Sequence, residues 1–276
     1  MGRPRLKGEA ALAEIRSHFA LADSVSAALQ TPAIDRRWLR GFRYNSTSMP
    51  TPARIVVILD LLRNYLAGAL SDRALSLDTP NQDGRVNSQE NERQISHALR
   101  LFTHSNEWFR LEGLSIEVAD PRFWHDFCVR GPGDLFIPVN VKVSTFLSAD
   151  NLSSKEGLFF SLTGVDPRSV RINSWEQFCD QLAANLGRNR DADYYFLAVS
   201  KVDAGDVFWT ALKCLQRLRP NGSNPPYQCK WSENRERVER PFDEAASFVL
   251  AALRESFVLG ANPLLSFDRH LRRYAP

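Results

Sequence analysis

The stretch Gly131-Pro132-Gly133-Asp134-Leu135-Phe136-Ile137-Pro138-Val139-Asn140-Val141-Lys142-Val143-Ser144 constrains this chain more than any other. Side chains alternate between faces along an extended chain, so Val139, Val141 and Val143 share one side while Asn140, Lys142 and Ser144 share the other. The first face belongs in a core. The second carries a carboxamide and an ammonium group, with Asp134 upstream, which are the components of a metal and phosphate site. A straight strand rises about 3.3 Å per residue and would hold Asp134 roughly 20 Å from Asn140, beyond the reach of one ion. Bringing them together requires the chain to fold back. Pro138, which has no N–H for a ladder, is the expected bend or edge position.

With 276 residues the chain can form one large α/β domain, or a core domain with a small helical appendage. Its balance of 43% hydrophobic and 24% charged residues is that of a globular protein. No continuous apolar run reaches the length of a membrane span, and the first residues, Met1-Gly-Arg-Pro-Arg-Leu-Lys-Gly8, lack a secretory core. The expected location is cytoplasmic. Cys128, Cys179, Cys214 and Cys229 never fall in a C-x-x-C pattern, which argues for free thiols over a zinc ribbon or redox dithiol. A net charge of +3 is mild, but the cations cluster at Arg36, Arg37, Arg40 and Arg43 and again at Arg217, Arg219, Lys230, Arg235, Arg237 and Arg240. Such grouping suits local phosphate contacts better than a global polycation.

Along the chain, residues 9–30 carry Leu12, Ile15 and Phe19 at helical spacing, and residues 31–43 open with Thr31 as a cap and Pro32 at the first helical position. The second segment has the form of a recognition helix. Residues 44–52 read as a linker, which gives an N-terminal helical region at 1–50 that could contact DNA and a main domain at 51–276. Helices are expected at 53–70, at 87–102 with Ser88 as cap, at 158–162, 173–186, 207–218 and 242–257. Loop residues fill 76–87. Strands are expected at 108–111, 114–118, 123–129, 139–144 and 194–200. This alternation indicates a mixed sheet covered on both faces. In the helix at 87–102, Ile95, Ala98, Leu99 and Phe102 form the inward stripe, and Glu92 continues it toward the N-terminus.

Phosphodiester hydrolysis needs a metal to neutralise developing charge, an activated water and a cation beside the phosphate. On the residues, Asp134 is the candidate bridging ligand, the Asn140 carbonyl a neutral oxygen ligand and the main-chain carbonyl of Val141 a further one. Lys142 polarises water or stabilises phosphate charge. Glu92 completes the charge around Mg²⁺, for which Mn²⁺ can substitute.

Gly133-Asp134 followed by Asn140-Val141-Lys142, with Glu92 before and Ser148-Ala-Asp-Asn151 after, resembles the PD-(D/E)xK core of type II restriction endonucleases. Asn224-Pro-Pro-Tyr-Gln-Cys-Lys-Trp231 is also similar to segments of such enzymes, so the likeness covers roughly residues 85–245. It implies a restriction-endonuclease-like α/β/α sandwich with a central mixed β-sheet, to which the N-terminal helical region is added. It further implies Mg²⁺-dependent, site-specific cutting of double-stranded DNA by a homodimer, with a DNA methyltransferase as genetic partner in a restriction-modification system. The chain departs from the motif at Asn140, where a second acid is expected. Three readings follow: the site works with an Asn ligand, the acids are Asp126, Glu117 or Glu112, or the core has lost catalysis. Retention of Lys142 favours the first. For DNA contacts, Arg217, Arg219, Lys230, Arg235 and Arg237 are candidates for phosphate or guanine, with Arg36, Arg37 and Arg40 in the N-terminal group. Asn224 and Gln228, beside Asn221 and Tyr227, are candidate readers of base edges. The competing expectations are a non-catalytic sequence-specific DNA-binding protein that uses its N-terminal helices, and a repair or transposition nuclease built on the same core.

Overall fold

The computed structural model describes residues 51–270, apart from 76, 78–83, 153 and 223–226, together with residue 272. In chain order the elements begin with helices α1 (Thr51–Ser71), α2 (Gly84–Ser105) and α3 (Glu107–Leu111), followed by strands β1 (Ser115–Val118), β2 (Phe127–Gly131), β3 (Leu135–Ser144) and β4 (Ala149–Asn151). Helices α4 (Lys155–Thr163) and α5 (Trp175–Asn185) precede strands β5 (Tyr195–Ser200), β6 (Val207–Ala211), β7 (Arg219–Pro220) and β8 (Tyr227–Lys230), and α6 (Phe242–His270) closes the series. The protein is mixed α/β. It divides into two compact units, the first running to Thr145 and including Tyr194–Thr210, the second taking Phe146–Asp193 and Ala211 onward.

The first unit is organised by a five-stranded sheet of order β1-β2-β3-β5-β6. Strands β1, β2 and β3 form an antiparallel meander, and β5 lies parallel to β3 with Val139 opposite Tyr195 and Ser144 opposite Ser200. That mixed sheet matches the expected central layer. Alternation along β3 buries Ile137, Val139 and Val141 completely, while Phe136, Asn140 and Lys142 are only half-buried. Helix α2 packs on β1 and β3 and also touches α1. Its fully buried positions include Asn91, Ile95 and Leu99, and Glu92 lies half-buried beside that stripe. The expected inward position of Glu92 is therefore taken by Asn91. Helix α2 also begins ahead of Ser88, which is an interior residue and not the cap.

Helix α1 carries a carboxylate, Asp60, among Ile55–Leu62, all of them buried. The indole Nε1 of Trp209 donates to Asp60 Oδ1 at 2.6 Å, so the buried acid has a partner from β6. A hydrogen bond to a charged group contributes about 1.5–3 kcal/mol, and stripping it from a buried carboxylate costs at least that. Trp209→Phe is expected to lower stability by about 2 kcal/mol or more in urea denaturation, and a loss below about 0.5 kcal/mol would show that this bond does not matter.

The second unit has a three-stranded antiparallel sheet of order β4-β8-β7. Phe159, Leu162, Phe178, Tyr227, Trp231 and Val249 lie in its core. Gly164 ends α4 at φ 70°, with its N–H on the Phe160 carbonyl, and a Cβ there would lie 2.4 Å from that of Asn189. A buried carboxylate is again paired: Asp193 Oδ1 accepts from Ser161 Oγ at 2.6 Å. Helix α6 is, among the described residues, the one helix long and apolar enough to cross a membrane by length and composition alone. Its first half is a core helix, with Ala245, Ala246, Val249, Ala252 and Leu253 buried, and Arg254 and Glu255 interrupt the apolar sequence.

Two expected elements and one expected bend differ. Trp108–Leu111 belongs to helix α3, which Asn106 caps by accepting the Phe109 N–H at 3.2 Å. Residues 207–218, expected to be helical, form β6, in which every residue but the half-buried Phe208 is buried, and a 3₁₀ turn at Leu212–Cys214. The third correction concerns Pro138. It sits inside β3, paired with Cys128, and no bend occurs there. The N-terminal region at 1–50 lies outside the described residues.

Candidate active site

The chain does fold back, but at Pro132-Gly133-Asp134, between β2 and β3. Gly133 and Asp134 both adopt positive φ, 71° and 59°. Glycine takes this region without a steric cost, and Asp is among the few other residues that tolerate it. Asp134 is thus an exposed turn residue at the hairpin tip. The straight strand that follows carries Asn140 roughly 20 Å away, so Asp134 cannot join Asn140 or Lys142 around one ion. The expected role of Asp134 as bridging ligand is overturned by the continuity of β3.

The hairpin brings a different aspartate to that position. Pairs Gly131↔Leu135 and Phe127↔Val139 are symmetric about Gly133, and just beyond the last of them Asp126 bonds to the two residues that flank Asn140. Two bonds hold it there: the Asp126 N–H donates to the Val139 carbonyl at 2.9 Å, and the Val141 N–H donates to Asp126 Oδ2 at 2.6 Å. The carboxylate therefore replaces a rung of the ladder at the start of β2. Burial pushes the Asp126 carboxyl above its ordinary range, while the Val141 N–H and the nearby Lys142 cation pull it back down. Only some of the charge balance is internal, and a further cation beside Asp126 would favour its ionised form.

Asn140 is fixed on the other side. Its Nδ2 donates to the hydroxyl of Tyr194 at 3.0 Å, and that hydroxyl donates to the main-chain carbonyl of Trp124 at 2.5 Å. The remaining amide atom, Asn140 Oδ1, is buried and has no hydrogen-bond partner. A buried carbonyl oxygen left in this way is costly unless something else satisfies it. Lys142 follows Asn140 on the same face of β3 and is half-buried.

The other candidate acids have structural partners. Glu117 Oε2 lies 2.6 Å from Arg130, whose guanidinium stacks over Phe136 at 4.8 Å. Glu112 pairs with Arg54 at 3.2 Å, both side chains largely buried. Val141 is buried in β3 and spends its N–H on Asp126. Glu92 lies half-buried on α2, the helix that packs on β3. Among the described residues no cluster of three or more His, Cys, Asp and Glu side chains could hold a metal. A Mg²⁺ ion does not require one, since it commonly keeps several waters and takes one or two protein carboxylates together with substrate phosphate. The carboxylate of Asp126 and the unpartnered oxygen of Asn140 are oxygen donors of the kind such a site uses.

The candidate DNA contacts of the second unit are distributed over β7, β8 and the segments on either side of them. Arg219 is bound to Glu233 at 2.7 and 2.9 Å, and Arg217 reaches the same carboxylate only at 4.0 Å. Gln228 donates to Asn151 Oδ1 at 3.0 Å across the β4–β8 pair. Lys230 and Arg237 are half-buried, and Arg235 stacks over Phe146 at 5.2 Å. Asn224, Arg36, Arg37 and Arg40 lie outside the described residues, as do residues 31–43, expected to read a groove. Compared with known protein families the sequence matches none, and no curated protein aligns with it significantly.

Proposed function

We propose that the chain is a Mg²⁺-dependent endonuclease that hydrolyses phosphodiester bonds in double-stranded DNA, with a restriction-endonuclease-like core and Asp126, Asn140 and Lys142 at its centre. The observation that carries the reading is the bonding of Asp126 to Val139 and Val141, on either side of Asn140, with the Lys142 cation nearby. The element order also supports it: a helix, three antiparallel strands, then a strand parallel to the third. In this reading Asp126 and the carbonyl of Asn140 would hold the ion, and Glu92, half-buried on α2, would add charge that Asn140 does not supply. Mg²⁺, when bound, neutralises charge on the attacked phosphate and makes water a better nucleophile. Lys142 orients the attacking water and stabilises negative charge on the phosphate oxygens. The Val141 N–H holds the Asp126 carboxylate in place. Arg217, Lys230, Arg235 and Arg237 contact phosphates, and Arg219 and Gln228 join them by exchanging their bonds to Glu233 and Asn151. A homodimer would cut both strands at a short site, in a cell whose methyltransferase protects that site.

Purified protein incubated with unmethylated plasmid and phage DNA is expected to yield discrete fragments with Mg²⁺ or Mn²⁺ and none with EDTA. Absence of cleavage on every varied DNA with both metals would overturn the proposal. Cutting that follows DNA structure instead of sequence would move it to the repair or transposition class.

A further inference from the structure

The amide of Asn140 has two possible orientations, and only one presents an oxygen to an ion. The phenol of Tyr194 decides between them. Tyr194 is completely buried, and its hydroxyl proton is committed to the Trp124 carbonyl at 2.5 Å. A phenol has one proton to give, so toward Asn140 this oxygen can act only as an acceptor. The side of Asn140 that faces it must then be the donor, Nδ2, at 3.0 Å. Oδ1 is forced to the opposite side, where it is buried with no partner in the protein.

We infer that Tyr194 is a positioning residue of the metal site, which locks the Asn140 carboxamide with its carbonyl oxygen toward the cation and thereby lets a neutral side chain serve where an acid would be expected. This rests on the reading of Asn140 as a ligand. Carboxylates carry oxygen on both sides and have no wrong orientation, so they need no such lock. The Trp124–Tyr194–Asn140 relay is thus specific to an amide. Groups one step removed from a metal typically change its affinity 10–100-fold when they are lost.

The test is a double-mutant cycle read by Mn²⁺ affinity in calorimetry on the full chain without DNA. Tyr194→Phe keeps the ring and removes the acceptor, so Asn140 can turn its nitrogen toward the ion, and affinity is expected to fall about tenfold. In the Asn140→Asp background the same Tyr194→Phe change is expected to alter affinity by less than about twofold, because either carboxylate oxygen serves. Thermal melting of the metal-free proteins separates packing from orientation: both variants with Tyr194→Phe should melt lower than their parents, yet only the one that retains Asn140 should lose affinity. Equal losses in the two backgrounds, or no loss in either, overturn the inference while leaving the site itself intact. If the unmutated protein binds no Mn²⁺, the site reading falls and the inference with it. The unmutated protein offers an independent check. The side-chain amide protons of Asn140 should exchange slowly with solvent in NMR both before and after Mg²⁺ is added, and fast exchange in either state contradicts the lock.

Discussion

Asp126→Ala is expected to remove metal-dependent DNA cleavage, by about a thousandfold or more, while Asp134→Ala leaves it within about twofold of the unmutated rate. The two residues lie at opposite ends of β2: one accepts the Val141 N–H at 2.6 Å, and the other sits exposed on a turn at φ 59°. Cleavage assays on purified variants decide between them, and loss of activity in Asp134→Ala alone would return the site to the hairpin tip. Asp126→Asn adds a signature that only a buried acid gives. Burial raises the Asp126 carboxyl in the folded protein above its value in the unfolded chain, so the native state holds the proton more tightly. Stability then declines as pH rises from the unfolded carboxylate range through the raised folded value. Above that window Asp126→Asn should melt higher than the unmutated protein while being inactive. Its amide oxygen can still accept from Val141. The same raised value means that metal binding by the unmutated protein weakens on acidification sooner than an ordinary carboxylate site would.

Lys142→Ala is expected to lower cleavage by about 10²–10³-fold, the range found for losing one preorganised donor at a site of developing negative charge. Metal affinity should not fall in step. Lys142 is a cation near Asp126, so its removal reduces competition for the carboxylate, and Mn²⁺ should bind as tightly or more so. Lys142→Arg keeps the charge but replaces a compact ammonium with a planar fork, and should recover only part of the rate. A variant that loses metal binding and activity together would show Lys142 to be a structural support.

Much of the fold could be read in the residues. The alternation of Val139, Val141 and Val143 against Asn140 and Lys142 defines a strand with one buried face, and β3 has that burial. The long amphipathic helices α1, α2 and α5 could be read from apolar spacing. Short elements were harder: α3 depends on a cap at Asn106 more than on periodicity, and Val207–Ala211 is a short apolar run whose period does not separate strand from helix. The proposed site is half legible in the sequence. Asn140 and Lys142 follow from the strand pattern, but Asp126 does not, because a ligand role for Asp134 overlooks that it is a turn residue. The signal was present in Pro132-Gly133-Asp134, bounded by apolar runs, which is a hairpin connection. Counting outward from Gly133 brings Asp126 near Asn140, and its bonds to Val139 and Val141 hold it there. Tyr194 could not be found this way. Its bond to Asn140 depends on β5 lying parallel beside β3, a long-range pairing that no local pattern in the sequence specifies.

The position of a bound ion tests the central claim most directly. Crystals soaked in Mn²⁺ and measured near the manganese absorption edge should give an anomalous peak within about 2.2 Å of an Asp126 carboxylate oxygen and of Asn140 Oδ1. A peak at Asp134, or elsewhere with Asp126 and Asn140 left empty, would contradict it.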